Sequence, residues 1–85
     1  MDLMIPLKQG AGTPLYEQIY EYIKQEIRTG GLRAAVRLPS TRQLAEHLKV
    51  SRSTTRLAYD QLLAEGYIES VPCRGYFVCE TENLL

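Results

Sequence analysis

The sequence has few of the residues from which catalytic and metal sites are built. Its 85 residues include one histidine, His47, two cysteines, Cys73 and Cys79, and no tryptophan. Two cysteines cannot form a disulfide framework, and together with one histidine they match no familiar zinc-ligand spacing. His47 has no nucleophile or orienting carboxylate at a telling spacing, and no phosphate-binding glycine loop is present. We therefore expect neither an enzyme nor a metal-binding protein.

Long apolar runs are also missing. A membrane-spanning helix needs about 20 apolar residues in succession, and the chain has no such run. Its short, acidic N-terminus lacks the basic and apolar regions of a secretory signal. The hydrophobic content of 45% is enough for one small domain with its own core. We therefore expect a soluble, cytoplasmic protein with no membrane partner.

What the chain does have is a strongly uneven distribution of charge. Between Arg28 and Arg56 there are seven Lys or Arg residues and one acid, Glu46. The rest of the chain has three basic and nine acidic residues, so the formal net charge is zero. A local positive patch attracts a polyanion through its local field, whatever the net charge. Nucleic acid is the leading candidate for the partner.

Three segments combine helix caps with apolar residues at helical spacing. The first follows a cap at Thr13 and ends at Gly30. The second is capped by Ser40, which has the spacing of a capping box with Gln43, and the third runs from its cap, Ser51, to about Glu65. The chain between the first two helices is predicted to be an extended linker.

A β-hairpin follows the third helix. Two β-prone runs, Tyr67–Val71 and Tyr76–Cys79, are separated by turn-forming residues. The predicted fold is mainly α with a small β-hairpin, in the order helix, helix, tight turn, helix, hairpin. This is the layout of a winged helix-turn-helix domain, with three helices and a two-stranded wing.

The third helix carries the strongest candidates for DNA contacts. Its predicted buried side consists of Thr55, Ala58, Tyr59 and Leu62. Arg52, Ser53 and Arg56 lie on a different side, where arginine can bind the N7 and O6 acceptors of guanine in the major groove. Ser51 and Thr54 lie at the helix start, where unpaired N–H groups favour a phosphate.

The remaining candidates each have an alternative interpretation. Arg42 is a predicted phosphate clamp, but it could instead bridge to Glu46 one turn later. Arg74 and Gly75 are predicted to reach the minor groove, although turn geometry alone also explains the glycine. A different class of function, a winged-helix protein-interaction module without DNA binding, is supported by Leu57, which lies off the buried stripe, and by the aromatic first helix.

Several motifs resemble one known family. In chain order they are Leu38-Pro39-Ser40-Thr41-Arg42-Gln43-Leu44-Ala45, Val50-Ser51-Arg52-Ser53-Thr54, Ala58-Tyr59-Asp60-Gln61-Leu62, Glu65-Gly66-Tyr67-Ile68 and Gly75-Tyr76-Phe77-Val78. Together they resemble the N-terminal domain of GntR-type bacterial transcriptional regulators. The opening Pro14-Leu15-Tyr16-Glu17-Gln18-Ile19 is similar to the MocR and YtrA branches of that family.

The resemblance implies a repressor or activator that binds an operator in double-stranded DNA as a homodimer. Family DNA contacts match Arg42, Arg52, Thr54, Arg56 and Gly75 of this chain.

The chain also departs from the family pattern. Ala35 and Val36 stand where members usually carry Gly and Asp, and Cys73 often aligns with Gly. Thr55 replaces a more usual aliphatic residue, so we expect it to weaken core packing.

The resemblance also suggests a domain organisation. We expect a leader over residues 1–13, the DNA-binding domain over 14–79, and over 80–85 the start of a linker to a missing C-terminal domain. In MocR members that domain resembles an aminotransferase and binds pyridoxal phosphate, whereas YtrA members carry a short helical tail. We expect no cofactor in the present fragment.

Overall fold

Three helices and three short strands make up the part of the chain that the structure, a computed structural model, describes, residues 3–80. Their order and bounds are α1 (Leu15–Thr29), β1 (Arg37–Leu38), α2 (Thr41–Leu48), α3 (Arg52–Ala64), β2 (Ile68–Val71) and β3 (Gly75–Val78). No helix in this part is long and apolar enough to cross a membrane. The predicted winged helix-turn-helix fold is confirmed.

The wing contains one strand more than the sequence predicted. β2 and β3 form the expected antiparallel hairpin, with Ile68 opposite Val78. β1, within the predicted extended linker, pairs with the other edge of β3, so that Arg37 lies opposite Phe77. The described sheet therefore has the order β1-β3-β2 and joins the chain before α2 to the wing.

The first helix begins differently from the prediction. Pro14, not Thr13, is the N-cap residue, and no side chain caps this end. The Gln18 side chain instead donates to the carbonyl oxygens of Thr13, at 2.8 Å, and Lys8, at 2.9 Å, and accepts from the Lys8 N–H at 2.8 Å. At the other end Gly30 adopts φ +88°, which glycine tolerates without strain.

The segment predicted to be a leader contributes to the core. Leu3 and Ile5 are buried and join the apolar side of α1, where Ile19 and Ile23 have no exposed surface. Burying two such side chains stabilises a small domain by a few kcal/mol, since each contributes about 1.5–3 kcal/mol. The predicted tail, from residue 81 onward, lies outside the described residues.

The loop before β1 contains a strained residue. Ala35 has φ +70°, in the left-handed region that side chains disfavour. Its N–H donates to Val78 O at 2.8 Å, and the Val78 N–H donates to Val36 O at 2.9 Å. These bonds to β3 hold the backbone in the strained conformation. Glycine would adopt this conformation without strain.

A polar contact joins the end of α3 to α1. The buried Tyr20 donates its hydroxyl to the exposed Glu65 carboxylate, and the Lys24 ammonium lies 5.4 Å from the centre of the Tyr20 ring. Burial, followed by this hydrogen bond, raises the pKa of Tyr20. The same hydrogen bond lowers the pKa of Glu65, because it favours the ionised carboxylate.

Replacing Ala35 by glycine should stabilise the fold. The change removes the left-handed strain, about 1–2 kcal/mol, and adds part of the unfolded-chain entropy of glycine, so we expect a gain of about 0.5–1 kcal/mol in the free energy of unfolding. Urea denaturation measures it. Ala34→Gly is the matched control, since Ala34 is not among the positive-φ residues, and it should be slightly destabilising. A loss of stability in Ala35→Gly would contradict the strain assignment.

The Tyr20–Glu65 hydrogen bond should make stability depend on acidity. Because folding lowers the Glu65 pKa below its ordinary 4.5, the contribution is complete above pH 4.5 and is lost as the pH falls through the folded-state pKa. Tyr20→Phe should cost about 0.5–1.5 kcal/mol at pH 7, and this cost should shrink in acid.

Denaturant titrations of both proteins at several pH values measure that difference. Tyr22→Phe is the control, because it removes a hydroxyl from the same helix without breaking a hydrogen bond to Glu65. A Tyr20→Phe cost that stays the same from pH 7 down to pH 3 would show that Glu65 is not the relevant partner.

Candidate nucleic-acid interface

The turn between α2 and α3 is short because one residue reverses the chain. Lys49 has φ +58°, and its N–H donates to Ala45 O. The Val50 N–H donates to the same carbonyl at 3.0 Å. These two bonds close the end of α2, and α3 starts at Arg52. The predicted helix-turn-helix geometry therefore follows from local hydrogen bonding.

The predicted capping box of α2 is present. The Gln43 N–H donates to Ser40 Oγ at 3.0 Å, and the Ser40 N–H donates to Gln43 Oε1 at 3.1 Å. Arg42 lies between these two residues and is exposed. The box fixes the first turn of the helix from which the Arg42 side chain projects.

Three hydroxyl groups meet at the start of α3. Ser51 Oγ accepts from the Thr54 N–H at 3.3 Å, and it lies 2.8 Å from Thr54 Oγ1 and 3.0 Å from Ser53 Oγ. Ser51 and Ser53 are exposed, while Thr54 is half-buried. The structure thus brings together three of the predicted site residues at a helix N-terminus, which is the positive end of the helix dipole.

The inner side of α3 is packed as predicted. Its four members have no exposed surface: Thr55, Ala58, Tyr59 and Leu62. This burial fixes the rotation of the helix, because turning it by one residue would expose an apolar side chain.

Thr55 has a specific role that the sequence analysis missed. Its hydroxyl donates to Thr41 O in α2 at 2.8 Å, and it also lies 3.0 Å from Arg52 O. An aliphatic residue would fill this space but could not link the two helices. The hydroxyl therefore offsets the packing loss that we expected.

Tyr59 connects α3 to the wing and to the chain before α2. Its hydroxyl donates to Pro39 O at 2.7 Å, and its ring packs edge-on against the Tyr76 ring, with centroids 4.9 Å apart. Burial raises the pKa of this hydroxyl far above its ordinary value, so it stays protonated as a donor. The helix and the wing are thus held in one arrangement.

The two arginines of α3 are exposed and unpaired. Within residues 3–80 the only ion pair joins Arg42 Nε to Glu46 Oε1 at 3.1 Å. Arg52 and Arg56 therefore have no carboxylate partner in the described part of the chain.

The ion pair of Arg42 with Glu46 is the alternative to a phosphate contact that the sequence left open for Arg42. Both of its side chains are about two-thirds exposed, at 68% and 69%, so the pair contributes at most about 0.5 kcal/mol.

The wing tip is a tight turn. The Arg74 N–H donates to Val71 O at 2.9 Å, with Pro72 and Cys73 at the two central positions. Cys73 has φ +63°, in a place where glycine would be unstrained. The turn leaves Arg74 exposed beside the start of β3, where the sequence predicted a DNA contact.

Arg37 lies beside Gly75 and was missing from the predicted site. Gly75 has φ +119°, and a Cβ added there would lie 3.3 Å from Arg37 Nε. The backbone angle is what disfavours a side chain at Gly75, and the exposed Arg37 guanidinium would only have to shift by a few tenths of an ångström to admit a Cβ. The pairing of β1 with β3 brings Arg37 to the wing, and no local pattern of residues indicates that pairing.

Comparison with known families and proteins extends these observations. The sequence profile described as "Bacterial regulatory proteins, gntR family" matches residues 15–78. The chain is 46% identical over 82 residues to the uncharacterized HTH-type transcriptional regulator YhdI of Bacillus subtilis, covering 96% of this chain and 18% of YhdI. It is 48% identical over 75 residues to the probable rhizopine catabolism regulatory protein MocR of Rhizobium meliloti, covering 88% and 15%. The chain thus spans less than a fifth of these relatives.

Solved structures agree with the sequence comparison. YtrA from Sulfolobus acidocaldarius, described as a GntR-family transcription factor, superposes with a TM-score of 0.84 at 36% identity, over 96% of this chain and 88% of YtrA. AraR(DBD), solved in complex with operator ORX1, superposes with a TM-score of 0.78 at 28% identity, over 93% and 99%. Profile, relatives and fold agree, and the chain therefore belongs to the GntR family of bacterial regulatory proteins.

Proposed function

We propose that this chain is the operator-reading domain of a bacterial transcriptional regulator and that it binds double-stranded DNA sequence-specifically. The observation that carries the proposal is that the two sides of α3 differ in burial and charge. One side is completely buried, while Arg52 and Arg56 are exposed and have no carboxylate partner within residues 3–80. A helix anchored in this way can enter a major groove and present both guanidinium groups to guanine edges.

The start of α3 supports a phosphate contact. Ser51, Ser53 and Thr54 supply hydroxyl donors around the helix N-terminus, whose partial positive charge favours an anion. Arg42, in the first turn of α2, is a second phosphate contact in this arrangement. A phosphate competes well with Glu46 for Arg42, because the existing pair is exposed and weak.

The wing supplies the minor-groove contact in this proposal. Arg74 is exposed at the tip, and Gly75 leaves the main chain without a side chain where it meets the DNA. Arg37 adds a second positive charge beside Gly75. Arginine is favoured in a narrow minor groove because the potential there is strongly negative.

The assembly around this domain is part of the proposal. AraR(DBD) was solved in complex with operator DNA, which supports the same partner for a chain of this fold. We propose that the full-length protein acts as a homodimer in the cytoplasm and that each copy reads one half-site. The chain has no catalytic function in this role.

The alternative is a protein-interaction module, which the sequence suggests through Leu57, a side chain that is 52% exposed. Titrating labelled duplex at two salt concentrations separates the two functions. DNA binding through phosphates weakens steeply with salt, whereas absence of binding at both concentrations would favour a protein partner.

Substitution of the three arginines should give two distinguishable results. Arg52→Ala and Arg56→Ala should each cost about 1–3 kcal/mol of binding free energy and relax the preference at one base pair. Arg42→Ala should weaken binding to all sequences and lower the salt slope by about one unit, because it removes a phosphate contact. Fluorescence anisotropy with a panel of selected duplexes, at several salt concentrations, measures both effects.

Arg28→Ala is the matched control for charge. It removes one positive charge from the last turn of α1, outside the helix-turn-helix and the wing, so it should change base preference little. If Arg52→Ala and Arg56→Ala bind with the affinity and preference of the unchanged chain, α3 is not the reading helix.

A further inference from the structure

One apolar side chain stands out on the exposed side of α3. Leu57 is 52% exposed, and with Met4 it is one of two large hydrophobic residues exposed within residues 3–80. Isolated exposed leucines are common and need no explanation. Leu57 differs from such residues because it lies on the exposed side of α3, between the arginines and other polar residues.

Leu57 points away from the protein more directly than either arginine does. At about 100° per residue, it lies about 40° from Ser53 around the helix and roughly 150° from the middle of the buried side. Arg52 and Arg56 lie nearer the edges of the exposed side by the same estimate. If α3 binds a partner through its exposed side, Leu57 lies near the part of the helix that comes closest to that partner.

The neighbours of Leu57 on the helix surface are polar. Ser53, one turn before it, and Asp60 and Gln61, about one turn after it, are exposed. The apolar area is therefore only one side chain wide. A stable protein interface buries about 20–30 residues on each side, so Leu57 alone is a poor basis for one. The Leu57 side chain has the size to contact a single small apolar group of a binding partner, and its polar neighbours could contact polar groups around that group.

The major groove presents such a group. Thymine carries a C5-methyl there, beside hydrogen-bonding edges, and apolar side chains contact it. We infer that Leu57 is a specificity-determining residue that contacts a thymine methyl group within one or two base pairs of the base bound by Arg56. The inference rests on the proposed function and adds to it a preference for thymine.

The test replaces the methyl group and the leucine separately. A preferred duplex is first selected from a random pool with the 85-residue chain at low salt. Each thymine is then replaced in turn by deoxyuridine, which lacks only the C5-methyl, and affinity is measured for the unchanged chain and for Leu57→Ala. Alanine is a better helix former than leucine, so the fold is retained, and circular dichroism verifies it.

The expected result is a coupling between the two changes. At one thymine position, deoxyuridine should weaken the unchanged chain roughly fourfold, which corresponds to the burial of one methyl-sized group. Leu57→Ala should bind the thymine duplex with a similar loss and should not distinguish thymine from deoxyuridine. Leu57→Met should keep most of the discrimination, and Met4→Ala, which changes the other exposed hydrophobic residue, should keep all of it.

Two outcomes would overturn the inference, and they differ in what else they affect. If the chain binds a selected duplex but tolerates deoxyuridine everywhere, or if Leu57→Ala still discriminates, the inference fails and the proposed function stands. If no duplex is enriched and none is bound at low salt, the proposed function fails and the inference fails with it.

Discussion

The burial of one side of α3 is the constraint on which the rest of the site depends. Four side chains with no exposed surface, Thr55, Ala58, Tyr59 and Leu62, set the rotation of the helix about its axis. This rotation determines which side chains of α3 face outward. Arg52, Ser53, Arg56 and Leu57 are exposed for this reason, and an outward side with this composition is complementary to a base-lined groove.

Polar contacts make that burial specific. Apolar packing alone would hold α3 near α2, but it would tolerate small rotations and slides. The Thr55 hydroxyl, bonded to Thr41 O, and the Tyr59 hydroxyl, bonded to Pro39 O, each require a particular register. Leaving either carbonyl or hydroxyl unpaired inside the protein would cost about 1–3 kcal/mol. Two hydrogen bonds of ordinary strength therefore position α3 relative to α2 and to the wing.

Most local features of the fold could be predicted from the sequence, apart from the N-cap of α1, which is Pro14 and not Thr13, and the nonlocal strand pairing could not. The capping box at Ser40, the cap at Ser51 and the buried stripe of α3 depend on residues within a few positions of one another, and all three are confirmed. β1 was missed because it has two residues and pairs with a strand about 40 positions later, so it leaves no periodic pattern. The burial of Leu3 and Ile5 was missed for the same reason. The position of Arg37 beside Gly75 depends on that pairing.

The segregation of charge explains how a chain with no net charge can present a cationic surface. Exposed charges interact strongly only within a screening length of about 8 Å in physiological salt, whereas the domain measures 35 × 29 × 21 Å. Acids more than a screening length away scarcely weaken the field at α3, so the few acids nearby matter most. Glu46 is engaged with Arg42, and Asp60 follows Arg56 by about one turn. Phosphate contacts made by such a surface carry no sequence information, so any sequence preference must come from contacts with base edges or from the shape of the DNA.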